Sequence, residues 1–149
     1  MARINRRSAF TLVEILIVVV ILAILAAVVI PQFTDSTKDA KDSTAVFNLQ
    51  TMRSQIAIYR AQHNGTNPSL ANIVTQLTSK TNPDGTSTGT PTLGPYLQNI
   101  PNNVLVDTNG TLIGAAATNP PTAEVANVGW QYDATTGNIF INKTGYFNK

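Results

Sequence analysis

The hydrophobic pattern is dominated by an unbroken apolar run near the N-terminus. Residues 15–30 are sixteen consecutive apolar residues, and the run extends back to Phe10 with only Thr11 and Glu14 as polar interruptions. A helix rises about 1.5 Å per residue, so a run of this length reaches about 30 Å, which is close to the hydrocarbon thickness of a bilayer. The pattern predicts one membrane-spanning helix over residues 10–31.

Beyond Pro31 the pattern becomes amphipathic. Within a helix a proline removes a hydrogen bond and kinks or locally melts the helix, so Pro31 marks the end of the apolar stretch. A set of positions spaced four and three apart then marks one helical face: Ala45, Leu49, Met52, Ile56, Tyr59 and His63. Asn64 and Gly65 supply a stop signal. We therefore expect one long helix over about residues 10–63, whose second half packs on a folded domain.

A short second helix is expected after a turn at residues 67–69 that contains an N-cap candidate. Apolar residues at helical spacing place this helix at about residues 70–78. Residues 79–93 are rich in Thr, Gly and Pro and predict a loop. Residues 94–101 follow, a segment with two prolines and a few apolar residues that are expected to be buried.

The C-terminal part predicts β structure. Apolar segments 104–106 and 112–113 flank an Asn-Gly turn and predict a hairpin. A stronger hairpin signal joins residues 128–133 to residues 138–142. Trp130 and Tyr132 alternate with polar residues in the first segment, and Ile139 and Ile141 alternate with Phe140 in the second. The expected fold class is α+β, with the long N-terminal helix packed on a small antiparallel sheet.

Charge and cysteine content exclude several function classes. The chain of 149 residues has a formal net charge of +2, but three of its basic residues, Arg3, Arg6 and Arg7, precede the apolar run. Without them seven basic residues remain against eight acidic ones, so nucleic-acid binding has little support. There is no cysteine, which excludes disulfides, thiolate nucleophiles and cysteine-based zinc sites.

The arginines also predict an orientation and a processing step. Basic residues beside an apolar span hold that end in the cytoplasm, so residues 1–9 are interpreted as a cytoplasmic leader. Residues 32–149 are then an exported domain. A secretory signal would be cleaved after small residues near Ala27, whereas cleavage between Ala9 and Phe10 would retain the apolar run.

Residues 9–14 (AFTLVE), the apolar run and Pro31 together resemble the N-terminus of type IV pilins and type II secretion pseudopilins, above all the major pseudopilin G. The resemblance implies a pilin-like fold, cleavage between Ala9 and Phe10 by a prepilin peptidase, and N-methylation of Phe10. Glu14 occupies the family's acidic position, five residues after the cut. Ala9 departs from the glycine that the family usually carries there.

Glu14 also stands out on physical grounds. A carboxylate inside an apolar helix is costly and is a functional candidate by default. In a membrane-inserted monomer it can reach the interface, whereas in a fibre of packed helices it needs a positive partner or a proton. The amine of Phe10 on a neighbouring subunit is a suitable partner. The alternative is an interfacial glutamate without a role.

No residue pattern indicates catalysis, and we expect no enzymatic activity. His63 lies on the periodic face near the helix end and is expected to pack or cap. Asp107 and Asn109 have the alternating oxygen pattern of a calcium loop, and the resemblance to major pseudopilins implies calcium binding in a C-terminal loop. An ordinary turn is the alternative, and no other cofactor is expected.

The expected function is that of a structural subunit of a type II secretion pseudopilus. Expected partners are other copies of the chain, minor pseudopilins or pilins, the prepilin peptidase, the inner-membrane assembly platform and membrane lipid. The expected location is the bacterial inner membrane, with a single span and a periplasmic C-terminal domain, and later a fibre. The alternatives are a type IV pilus subunit for adhesion, motility or DNA uptake, and a membrane-anchored binding domain that never polymerises.

Overall fold

The computed structural model describes residues 10–149, and over this range the chain forms two helices and three strands. They are α1 (Leu12–Gln62), α2 (Ile73–Thr78), β1 (Ile113–Ala115), β2 (Trp130–Asp133) and β3 (Asn138–Ile141). The chain divides into two compact units, with the boundary after Asp39. The α+β class is confirmed. The predicted leader at residues 1–9, including Ala9, lies outside the described residues.

The amphipathic half of α1 forms one side of the core of the second unit. All six positions of the predicted helical face are buried: Ala45, Leu49, Met52, Ile56, Tyr59 and His63. The helix ends as expected, because Asn64 and Gly65 both adopt positive φ and the Gly65 N–H donates to the Arg60 carbonyl at 2.9 Å. Pro31 lies inside α1, and the helix continues through it without local melting.

Helix α2 is shorter than expected. It begins at Ile73, because residues 70–72 form a turn. The predicted cap within residues 67–69 is wrong, since the N-cap residue is Asn72 and its side chain makes no capping bond. The Ser69 N–H instead donates to Gln76 Oε1 at 2.9 Å, so a side chain of α2 itself fixes the turn.

The sheet has the order β1-β2-β3 and is mixed. The predicted hairpin of β2 and β3 is confirmed, with Trp130 opposite Ile141 in antiparallel register. β1 pairs with β2 in parallel, with Ile113 opposite Trp130. The sheet is therefore not purely antiparallel as expected.

The expected hairpin of residues 104–106 with 112–113 is wrong, because the side chain of Asn103 forms hydrogen bonds with backbone groups there. The Asn103 side chain accepts a hydrogen bond from the Leu105 N–H at 3.0 Å and donates to the Gly129 carbonyl at 2.7 Å. The Leu112 carbonyl accepts from the N–H groups of Gly129 and Trp130. The chain after the turn is thus directed to β2, and residues 104–106 form no strand.

Both faces of β2 are covered. Trp130 and Tyr132 are buried against α1, as expected from their alternation. Gln131, which alternation places on a solvent face, is also buried, since it donates to the Ala123 carbonyl at 2.8 Å and to Asn142 Oδ1 at 2.7 Å. Amide side chains therefore hold the preceding loop over the second face of the sheet.

Candidate functional site

The candidate site begins with the apolar stem, which we define as residues 10–31. Every side chain of the stem is exposed, and Phe10 at its start is 82% exposed. Helix α1 is long and apolar enough to cross a membrane, and none of its most apolar window is buried within the chain. The stem therefore requires an apolar environment that the described part of the chain does not provide.

At the start of the stem, Thr11 and Glu14 form a reciprocal cap. Glu14 Oε2 accepts hydrogen bonds from the Thr11 N–H and from its hydroxyl, both at 2.8 Å. The Glu14 N–H donates to Thr11 Oγ1 at 3.3 Å. This is the capping-box geometry, in which a hydroxyl residue and a carboxylate three positions later satisfy free N–H groups at a helix N-terminus. The carboxylate of Glu14 is thus held at the start of the helix by the N–H and the hydroxyl of Thr11.

The role of Thr11 was not predicted from the sequence. A threonine followed three residues later by a glutamate, just before an apolar run, is a general signal for a helix N-terminus. The sequence therefore contained the information that Glu14 has a partner within its own chain.

Pro31 closes the stem without breaking α1. Downstream of it, the Thr34 hydroxyl donates to the Ile30 carbonyl at 3.2 Å and the Thr37 hydroxyl donates to the Phe33 carbonyl at 2.8 Å. Hydroxyl groups thus bond helix carbonyls at and after the proline, whereas the helix bond that Pro31 removes is the one to the Ala27 carbonyl, one turn earlier.

His63 packs as expected in the core of the second unit. Its ring stacks on Tyr59 with 3.7 Å between ring centroids. Nδ1 lies 2.8 Å from the Tyr59 carbonyl, which can only accept, so Nδ1 carries the proton. Nε2 then accepts from the Thr81 hydroxyl at 3.0 Å. Both ring nitrogens are engaged, and the side chain ties the end of α1 to the loop after α2.

The candidate calcium residues, Asp107 and Asn109, are both exposed. Asp107 lines a groove of about 370 Å³ together with Glu124 and Lys143. Glu124 Oε1 accepts from the Thr144 N–H at 2.7 Å, and this bond lowers the pKa of the Glu124 carboxyl. Lys143 Nζ lies 4.0 Å from the same oxygen.

Among the described residues, no three His, Cys, Asp or Glu side chains are grouped so as to hold a metal ion. A calcium ion at Asp107 would therefore need amide and backbone carbonyl oxygens as further ligands. Calcium binding stays a prediction.

Comparisons with known proteins point to the stem. Residues 4–30 match the family model described as the prokaryotic N-terminal methylation motif. The type II secretion system core protein G of Aeromonas hydrophila is 33% identical over 60 residues, which are 40% of this chain and 42% of that protein. The core protein G of Pseudomonas aeruginosa is 39% identical over 56 residues, which are 38% and 39% of the two chains.

A third relative belongs to a different kind of assembly. The type IV narrow pilus major component PilA5 of Thermus thermophilus is 38% identical over 60 residues, which are 40% of this chain and 52% of that protein. The chain thus spans between about 40% and about half of the length of these relatives. No solved structure matches the chain. By its motif, its exposed apolar helix and these similarities, the N-terminal region of the chain is similar to that of type II secretion core G proteins and of a type IV pilin.

Proposed function

We propose that this chain is a structural subunit of a type II secretion pseudopilus. The observation that carries the proposal is the fully exposed stem, which begins with a methylation motif. Sixteen consecutive apolar residues need lipid before assembly and other apolar helices after it. The subunit is thus held in the inner membrane by one span and is then packed into a fibre through its stem.

Processing creates the group that Glu14 requires. Cleavage between Ala9 and Phe10 by a prepilin peptidase leaves an amine on Phe10, which the enzyme then methylates. In a bilayer the Glu14 carboxylate reaches the interface and is bonded by Thr11. In the fibre interior it leaves water, and the Phe10 amine of a neighbouring subunit offsets the cost of burying its charge.

The other partners of the subunit and its location follow from insertion into the membrane and later assembly into a fibre. The leader at residues 1–9 stays in the cytoplasm and the folded body lies in the periplasm. An inner-membrane assembly platform extracts the subunit, and minor pseudopilins share the fibre. Catalysis is not part of the proposal.

A type IV pilus subunit, for adhesion, motility or DNA uptake, is the second candidate function. The similarity to PilA5 favours it, whereas the similarity to several core G proteins favours the pseudopilus. Deletion of the gene separates the two. Loss of exported enzymes is expected for a pseudopilus, and loss of long surface fibres with normal secretion would replace it with a pilus.

The experiment that tests the common core of both functions is mass analysis of the mature N-terminus. We expect a chain that begins at methylated Phe10. A chain that begins at Met1 or directly after Ala27 would overturn the proposed processing and with it the pairing of Glu14. A membrane-anchored domain that never polymerises would give no sheared fibres under any expression level.

We also propose that calcium binds at the loop that carries Asp107 and Asn109. Titration of the purified chain with calcium should raise its unfolding temperature, and Asp107→Asn should weaken this effect. An unchanged unfolding temperature at millimolar calcium would contradict calcium binding and would leave the fibre proposal untouched.

A further inference from the structure

A polar pocket lies in the second unit, where the end of α1 meets α2 and the loop that follows α2. Its volume is about 330 Å³. This value lies within the range of roughly 300–1,000 Å³ that is typical of small-molecule sites. We call it the tyrosine pocket, and its walls include Tyr59, Thr66, Asn72, Gln76, Asp84 and Gly85.

The hydroxyl of Tyr59 is the feature of this pocket that needs an explanation. Tyr59 is 1% exposed, yet its hydroxyl forms no hydrogen bond with any residue in the range 10–149. The other three tyrosines each donate the hydroxyl hydrogen to an oxygen of the chain, namely Gln62, Pro68 or Asp42. A buried polar group without a partner is costly, so the Tyr59 hydroxyl is expected to bond a molecule in the pocket.

Gly85 leaves this hydroxyl uncovered. The residue has a φ of +82° at Gly65-like turns elsewhere in the chain and of +81° here, and a Cβ on Gly85 would lie 2.8 Å from the Tyr59 hydroxyl oxygen. Gln76 fixes the loop in this place, because its Nε2 donates to the Gly85 carbonyl at 3.0 Å and its Oε1 accepts from the Ser69 N–H at 2.9 Å. The walls of the pocket are therefore joined by hydrogen bonds of their own.

Asp84 adds an acceptor and a negative charge. One of its carboxylate oxygens accepts from the N–H and the hydroxyl of Thr86, at 2.9 Å and 2.7 Å. The other oxygen accepts no hydrogen bond from the described part of the chain. The bonds from Thr86 lower the pKa of Asp84, so the carboxylate is charged at neutral pH. No lysine or arginine lines the pocket, and both ring nitrogens of His63 are already engaged.

These groups select the chemistry of a ligand. Burial raises the pKa of Tyr59, so its hydroxyl keeps its proton and can both donate and accept. The Asn72 side chain makes no capping bond and offers a further donor and acceptor. A ligand hydroxyl can donate to Asp84 and accept from Tyr59 at the same time, whereas an ammonium group can only donate. An anionic ligand would be repelled by Asp84.

We propose that the tyrosine pocket binds a neutral saccharide, whose neighbouring hydroxyls bond Tyr59, Asn72 and Asp84. Adjacent hydroxyls on a sugar ring repeat the pairing of donor and acceptor that the pocket offers. The inference does not depend on assembly into a fibre, and it gives the folded body a carbohydrate-binding activity of its own.

Calorimetric titration of the full chain tests the proposal, in a detergent whose headgroup is not a sugar. We expect cellobiose or N,N′-diacetylchitobiose to bind with a dissociation constant on the order of 1 mM, and digalacturonate, which is anionic, not to bind. Tighter binding of the acetylated disaccharide would identify an amino-sugar chain as the source of the ligand, and tighter binding of cellobiose a plain glucan. No binding of either at tens of millimolar, or equal binding of digalacturonate, would overturn the proposal.

Tyr59→Phe separates binding from folding. It should weaken saccharide binding about tenfold, because one hydrogen bond to the ligand is lost. The unfolding temperature should stay unchanged, because the hydroxyl has no partner to lose within the described residues. Tyr146→Phe, which removes a hydroxyl that bonds Asp42 outside the pocket, is the matched control and should bind as wild type does.

Asp84→Asn gives an independent test of the charge. It should weaken binding of the neutral disaccharide and admit digalacturonate, because the repulsion is removed. A Tyr59→Phe variant that unfolds at a lower temperature and binds saccharide as wild type does would overturn the proposal. Loss of the fibre in cells would bear on the proposed function alone, since saccharide binding is measured on the isolated chain.

Discussion

At the residue scale, Glu14 combines two interactions that substitution can separate. Within one chain it caps its own helix through Thr11. Between chains it is proposed to pair with the Phe10 amine. Glutamine can form the same cap as glutamate but carries no charge. The two substitutions Glu14→Gln and Thr11→Ala therefore remove one interaction each.

We expect Glu14→Gln to insert into the membrane normally and to lose fibre assembly, because it keeps the cap and loses the charge. Thr11→Ala should cost about 1 kcal/mol of helix stability and should retain most assembly, because the carboxylate remains. Sheared fibre and membrane-bound monomer, both quantified by immunoblot, measure the difference. Normal fibres from Glu14→Gln would rule out the charge pairing and leave only the cap.

Only part of this site could be predicted from the sequence. The spacing of Thr11 and Glu14 is a local signal, so the cap was within reach of sequence reasoning. The charge partner on a neighbouring subunit was inferred from an acidic residue inside an apolar run, and it stays a prediction because one chain contains only half of that contact.

At the element scale, the parallel pairing of β1 depends on the close approach of Gly129 to the backbone of Gly110. A Cβ on Gly129 would lie 2.0 Å from the Gly110 carbonyl oxygen, and this backbone atom is fixed by the Asn103 N–H. A Cβ on Gly114 would lie 3.1 Å from a methyl group of Val128, which can move. A side chain at Gly129 would therefore have to displace backbone, whereas a side chain at Gly114 would displace only the Val128 side chain.

Gly129→Ala should destabilise the folded body by about 3 kcal/mol or more, and Gly114→Ala by about 1 kcal/mol. Denaturant unfolding followed by the fluorescence of Trp130, the single tryptophan and a buried one, measures both variants. Equal midpoints for the two variants would show that the Gly110–Gly129 contact is not restrictive.

The β2–β3 turn makes a prediction about acid stability. The Asp133 carboxylate accepts from the Thr136 hydroxyl at 2.7 Å, from Asn119 at 2.9 Å and from the N–H of Thr135 at 2.9 Å, and these bonds lower its pKa below the ordinary 3.8. A carboxyl whose pKa is lower in the folded state stabilises fully above its unfolded pKa. That stabilisation is lost as pH falls through the folded pKa.

Asp133→Asn should therefore flatten the decline of the unfolding temperature as the pH falls below about 4. Some decline should remain, because Asp84 and Glu124 also have lowered pKa values. Thr135→Ala keeps its N–H and should retain the wild-type decline. An unchanged acid profile in Asp133→Asn would mean that the bonds at this turn contribute nothing to stability.

The elements differ in how far the sequence predicts them. The amphipathic face of α1 was predicted in full, because six buried positions at helical spacing leave a periodic pattern. The β2–β3 hairpin has short-range pairing and was predicted as well. A strand at residues 112–113 was predicted, but its partner was wrong, because the Asn103 side chain bonds Gly129, a residue 26 positions away, and so directs β1 to β2. Burial of Gln131 was missed because alternation does not reveal a loop held over the sheet by amide bonds.

At the whole-molecule scale, the two units differ in what stabilises them. Every buried core side chain of the described residues lies in the second unit, from Ala45 to Ile141. The first unit is exposed throughout its stem. The second unit therefore has its own core, whereas nothing in the described part of the chain covers the apolar stem of the first.

A fragment of residues 40–149 should consequently be soluble, monomeric and cooperatively folded. Its unfolding midpoint, followed by Trp130 fluorescence, should match that of the folded body in the detergent-solubilised full chain. The reason is that no core contact within the described residues involves a side chain before Ala45. Analytical ultracentrifugation of the fragment should give a monomer. The full chain without detergent should instead sediment with membranes or aggregate, because its stem is uncovered.

A fragment that binds hydrophobic dye and unfolds without a sharp transition would show that the body needs the stem in order to fold. That result would argue against a subunit whose body stays unchanged while its stem passes from bilayer to fibre.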